Sequence, residues 1–191
     1  LSDYDLFAEN RTHVFNLNNE QVNKITSHNF QLDFNYKIND KQLLQFGGSY
    51  EHLVVTNLTQ NNVPSFYSLV LDINETATVY TQLNHHGEKL SYGAGVRGMY
   101  YSKPDQFRVE PRAYVKYAIT EDLSIQARGE LKSQYLSQDI DLENNFLGVE
   151  KRRWHLANDS IYKVQTSKQV DLGIGYKKDR GLSAYATAYI K

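Results

Sequence analysis

Hydrophobic and polar residues alternate with period two through most of the chain, most clearly where Phe30, Leu32, Phe34, Tyr36 and Ile38 interleave with Gln31, Asp33, Asn35 and Lys37. A helix repeats every 3.6 residues and cannot write that order, whereas successive side chains of a strand point to opposite faces. Asn39-Asp40 then marks a turn into Leu44, Phe46, Gly48, Tyr50, His52 and Val54, with Gln45, Gly47, Ser49 and Glu51 on the opposite face. The same unit recurs three times further along. It predicts eight strands over 28–38, 43–55, 75–84, 89–101, 108–119, 123–133, 168–177 and 181–190, paired as hairpins with turns of a few residues. The links between hairpins are long, from Thr56 to Asn74 and from Tyr135 to about Gln165, and residues 1–26 read as a further long loop.

Alternation fits a sheet whose apolar side meets lipid, and equally one packed on a second sheet. Three features favour lipid. The predicted strands are about twice the usual globular length of roughly 5 to 6 residues, near the length needed for a tilted membrane crossing. Tyr36, Tyr117 and Tyr176 fall on the apolar face just before short turns, with Phe46 and Tyr92 just after, at the level of an interfacial aromatic girdle. The opposite face carries Arg97, Arg108, Glu110, Arg112, Lys116, Arg128, Glu130 and Lys132, which suits a polar lumen. The expectation is an all-β, antiparallel, up-and-down transmembrane β-barrel, part of a larger barrel, with long loops on one rim and short turns on the other. Two alternatives are a complete eight-stranded barrel serving as anchor or adhesin, and a soluble β-sandwich binding module whose long loops form the recognition edge.

Composition narrows the classes. With 191 residues the chain suffices for one core, and 40% hydrophobic, 23% charged residues and no Cys suit neither a disordered tail nor a disulfide-stapled module. A formal net charge of -1 creates no field to attract nucleic acid, which is set aside as a partner. Mean hydropathy is -0.60 and no run of about twenty apolar residues offers a membrane helix, but a barrel crosses with every other residue polar. Tyr is abundant, at 15 residues, and suits both strands and membrane interfaces.

Candidate chemistry is sparse. Without Cys, and without a Gly-x-Ser-x-Gly elbow, no nucleophile stands out, so no catalytic residue, enzyme activity or cofactor is expected. His85 and His86 are adjacent and would point to opposite faces, and Asp139, Asp141 and Glu143 read as a solvated loop edge, so no metal is assigned. Arg97, Arg108, Glu110, Arg112 and Arg128 on the polar face are candidate ligand contacts, as is the loop cluster Arg152, Arg153 and Trp154 beside Lys151, because Arg with Trp is favoured at recognition surfaces. Pro111 lacks a backbone donor and is expected at a bulge or near the loop rim. Four Asn-x-Ser/Thr triplets, at Asn10, Asn57, Asn74 and Asn158, are read as chance matches in an Asn-rich chain.

From about Glu75 to Ile190 the order of motifs resembles the barrel of TonB-dependent outer-membrane receptors. The carriers are Ala77-Thr-Val-Tyr-Thr-Gln82, then Leu90 to Tyr100 with Gly95-Val96-Arg97, then Val109-Glu110-Pro111-Arg112, and last Gln169 to Tyr176 with Gly181 to Tyr189. The resemblance implies energised uptake of a bulky ligand (a siderophore, glycan or peptide) across the cell outer membrane. It also implies outer-membrane lipid as surroundings, a TonB complex engaged through a plug domain, and a surface lipoprotein over the loops as a possible further partner. No plug, TonB-box-like segment or terminal aromatic is found, so the expectation is a fragment supplying about a third of a roughly 22-stranded wall.

Overall fold

A computed structural model gives the fold and describes residues 2–14, 17–62, 65–141, 151–158, 160–178 and 182–191, with side chains from residue 20 onward except at 140, 141, 151 and 152. Every regular element among the described residues is a strand: β1 (Ser2–Val14), β2 (Leu17–Asn39), β3 (Gln42–Asn62), β4 (Ser65–His86), β5 (Leu90–Tyr101), β6 (Gln106–Ala118), β7 (Leu123–Gln134), β8 (Leu136–Asp141), β9 (Lys151–Leu156), β10 (Gln165–Lys177) and β11 (Ser183–Ile190). Nine of them, β1 to β7 with β10 and β11, form one antiparallel sheet in chain order, curled into a half-barrel. β8 and β9 form a separate hairpin. β1 and β11 are the edges and do not pair with each other, so the sheet is open where a closed eight-stranded barrel would join its first and last strands.

The register carries the apolar residues of successive strands onto one convex face. Phe34 pairs Phe46, which pairs Thr81, which pairs Val96, which pairs Pro111, and Tyr176 pairs Leu123 farther round. Phe30, Leu32, Val79, Phe107, Val109, Val170 and Leu172 are all at least half exposed on this face, and no second sheet covers it among the described residues. On β5 the apolar positions run from Leu90 to Tyr100, and ten residues at roughly 3.4 Å make a band about 34 Å long measured along the strand. Phe46, Tyr92, Tyr117 and Tyr176 ring its short-turn edge with Tyr36, and His85 joins them by stacking on Tyr92 at 4.9 Å.

Two expectations are corrected here. Residues 2–14 and 17–27 are strand rather than loop, and the link expected between Thr56 and Asn74 is the tip of a hairpin in which Asn62 pairs Ser65. The sheet accordingly has nine strands among the described residues, not eight. Above the band the alternation fades on the convex side of β2, with Lys24, Thr26 and His28, while backbone pairing continues and β4 keeps Leu69, Leu71 and Ile73 exposed opposite Leu58, Thr56 and Val54 of β3. Other apolar residues of these strands turn inward: Ile25, Leu53 and Val55 are buried on the concave face against Leu156, with Trp154, Tyr135 and Leu136 packed around them. The segment expected as one long loop from Tyr135 thus contains the β8–β9 hairpin, folded back into the mouth of the half-barrel. Asn57 and Asn74 are buried there, out of reach of any modifying enzyme.

Pro111 causes no register shift, which occurs instead between Lys37 and Asn39. It marks the end of the β6–β7 ladder, which runs only over Arg112–Ala118 against Ser124–Glu130. A residue without an N–H cannot extend that ladder. Beyond it the two strands diverge.

Candidate functional site

The divergence opens a cleft of about 430 Å³ on the concave face, between the fork of β6 and β7, the β3–β5 wall and the first residues after β7. Glu110 stands at the crotch. Its buried carboxylate accepts from the Ser133 backbone N–H and, at 2.7 Å, from the Ser133 hydroxyl, so a side chain replaces the ladder bond that Pro111 ends. Arg97, paired with Glu110 in the β5–β6 register, brings Nη1 to 3.9 Å from that carboxylate. Lys132, on the other prong, contacts Glu130 at 2.6 Å.

The opposite wall is set by Glu51, whose two oxygens accept from the Ser27 hydroxyl and the Tyr135 hydroxyl, each at 2.7 Å. This carboxylate fastens the start of the in-folded segment to β2 and β3. A second clamp joins Asn57 to the backbone of Trp154, its Nδ2 donating to the carbonyl at 2.8 Å. Tyr135 also meets the ring of buried Tyr101 at 4.9 Å, so the roof of the cleft is held by one aromatic contact and two polar ones. Beyond Leu156 the segment continues with Tyr162 stacked on His155 at 4.3 Å. Burial pushes the Tyr162 hydroxyl above its ordinary value, and a hydrogen bond to Asp139 adds to the shift.

Below the cleft the concave wall is stiffened by tyrosines lying across glycines of neighbouring strands. A methyl group on Gly47 would strike the Tyr80 ring, one on Gly93 the Tyr114 ring, and one on Gly175 would crowd the Tyr185 ring. Only Gly leaves room for a flat ring against the backbone. Tyr80 donates to Asp33, and Tyr114 donates to Asn84 at 3.2 Å. Asn84 in turn donates to Gln45 at 2.8 Å, and Gln45 to Asn35 at 2.9 Å. A chain of polar groups thus crosses the wall from β6 to β2.

The structure brings Arg97 and Glu110 into the cleft and puts Arg108 beside it, in the register position next to Met99, where Nη2 donates to Gln106 at 2.6 Å. Arg112 and Arg128 lie lower on the concave face, their strands joined in the β6–β7 ladder. Arg153 and Trp154 belong to β9, where Trp154 packs into the cluster around Leu156 instead of presenting its ring outward. The side chain of Arg152 lies outside the described residues, as do those of Asp141 and Glu143. Asp139 is exposed, with His155 Nε2 at 3.9 Å, and among the described residues no group of three or more His, Cys, Asp or Glu is placed to hold a metal. Sequence reading missed Glu51, Tyr101 and Tyr135 as cleft residues, because nothing in their spacing announces that residues 27, 51 and 135 converge.

No protein-family model matches this sequence, and no curated protein matches it.

Proposed function

We propose that the chain is part of the wall of an outer-membrane β-barrel that takes up a bulky ligand by TonB-dependent transport, with the concave face and the in-folded hairpin lining the ligand path. The observation that carries this reading is the uncovered convex band with aromatic rings along one edge, whose length along the strand, at the roughly 40° tilt of membrane barrels, corresponds to about 26 Å of hydrocarbon. Water is a poor solvent for that surface: large apolar patches on soluble proteins seldom exceed a few hundred Å². The open edges at β1 and β11 suit a segment of a wider wall, since in lipid each unpaired backbone group costs several kcal/mol. The energised-transport element of the proposal rests on the resemblance carried by Ala77–Gln82, Gly95-Val96-Arg97 and Glu110-Pro111-Arg112. A TonB complex acting through a plug, and a surface lipoprotein above the long hairpins, are the partners that reading calls for.

The test has two arms. The full chain, folded into detergent or liposomes, is expected to migrate differently on gels before and after boiling and to co-float with vesicles. A monodisperse monomer in plain buffer, with the convex side chains protected from solvent, refutes the membrane reading. In cells, ligand accumulation that persists after the inner-membrane proton gradient is dissipated refutes the energy coupling and leaves the barrel intact.

A further inference from the structure

Hydrogen-bond donors and acceptors are unequally employed around the fork cleft. Glu110 and Glu51 each accept two protein hydrogen bonds, and Lys132 is held by Glu130. Arg97 is not comparably engaged. Its nearest carboxylate oxygen, at 3.9 Å, is beyond hydrogen-bond distance, its Nε is buried without a partner, and its side chain remains 39% exposed toward the cleft. Arg108 repeats the pattern, with one bond to Gln106 and a buried Nε lacking a partner.

Arg97 and Arg108 also stand on one face of adjacent strands. Arg97 pairs Glu110 and Met99 pairs Arg108, so Arg97 and Arg108 sit diagonally across the β5–β6 ladder on the same face, within reach for side chains of that length. Two permanent cations on the same part of a concave, partly dried surface are both stabilised by an anion placed there. Glu110 fills that role in part at best, because Ser133 draws its carboxylate toward the other prong.

We infer that this fork cleft binds the carboxylate of an acidic, hydroxyl-rich ligand of the uronic-acid type, held by Arg97 within the cleft and supported by Arg108 at its margin. Planar guanidinium groups match a carboxylate through two parallel N–H···O bonds, with a directionality that a point charge lacks. A single negative charge is favoured over the near-dianion of a phosphate, because Glu51 and Glu110 line the same cavity. Of the remaining polar lining, Thr78 and the side-chain carbonyl of Gln134 are suited to hydroxyls, while Ser133 and Thr76 already serve Glu110 and Asn74. About 430 Å³ accommodates one or two sugar rings. This assignment rests on the lumen reading above and gives that ligand path its chemistry.

The experiment titrates the detergent-folded full chain with digalacturonate, its methyl ester and inorganic phosphate, following emission of the single Trp. That residue, Trp154, packs against Leu53, which also lines the cleft. Digalacturonate is expected to give a saturating, salt-weakened change, with the ester binding about tenfold or more weakly. Arg97→Gln is expected to lower affinity by about tenfold to a hundredfold, and Arg97→Lys to recover only part of it, since an ammonium cannot form the paired contact. Arg108→Gln probes the same site should Arg97→Gln fail to fold. Equal binding of acid and ester, phosphate binding as tight as the acid, or unchanged affinity in folded variants overturns the inference. Failure of the barrel reading looks different: it appears as a soluble monomer in plain buffer, whether or not the acid binds.

Discussion

Val79→Arg separates a lipid-facing from a water-facing convex surface more sharply than any other single substitution. Val79 lies within the band, inside its Tyr100 end, 66% exposed, with Gly48 and Gly98 as its partners in the flanking strands. Methyl groups on those glycines would only just touch Val79, at 3.8 and 3.7 Å, so the larger arginine meets no obstruction. In water the exchange alters an exposed strand position by roughly 0.5 kcal/mol or less, the range of ordinary surface changes. In a bilayer the same charge at the midplane of a barrel costs about 2–4 kcal/mol, falling to about 0–1 near the interface. Tyr36→Arg, at the girdle, supplies the interface control, and Gln126→Arg, on the concave face of β7, the lumen control. Urea titration of liposome-folded protein, followed by far-ultraviolet circular dichroism, is expected to rank Val79→Arg far below both controls. If the three variants unfold within about 0.5 kcal/mol of one another, the convex band does not face hydrocarbon, and the transport proposal fails with it.

Other consequences concern the concave side. Gly93→Val forces a branched side chain into the Tyr114 ring and to within 2.6 Å of Asn84 Oδ1, so it should destabilise by about 1–3 kcal/mol, and adding Tyr114→Ala should recover much of that loss in the same urea assay. Leu156→Ala empties a site 1% exposed among Ile25, Leu53 and Val55; a cost of about 2–4 kcal/mol should appear as faster hydrogen exchange in β8 and β9 with β5 to β7 unchanged. Uniform loss of protection across the sheet would contradict a separately docked hairpin. Because the folded Tyr162 hydroxyl ionises above its ordinary value near pH 10, its contribution is complete below that pH and is lost as pH rises through the folded value. Trp154 emission should therefore report loosening of the docked segment above about pH 10, and Tyr162→Phe should shift that transition upward.

How far the sequence could be read follows from what alternation measures. Phe30 to Ile38, Leu90 to Tyr100 and Val170 to Tyr176 disclose strand and face together, since each apolar side chain lands on the same uncovered surface. Gln21, Asn23 and Ser27 disclose neither, although they belong to the same β2 and are buried. Their neighbour Ile25 is covered by a hairpin more than a hundred residues later in the chain, and periodicity records a strand's own two faces without recording what covers either. The same reasoning explains the site. Arg97 and Glu110 were visible as polar-face residues of adjacent strands, because their proximity is a consequence of local register. Glu51 and Tyr135 were not, because their contact depends on the fold-back after β7. The pairing of Arg153 with Trp154 suggested a recognition surface, yet Trp154 anchors the hairpin that roofs the cleft. A loop residue of recognition-like composition can therefore act indirectly, by holding closed a cavity that other residues line.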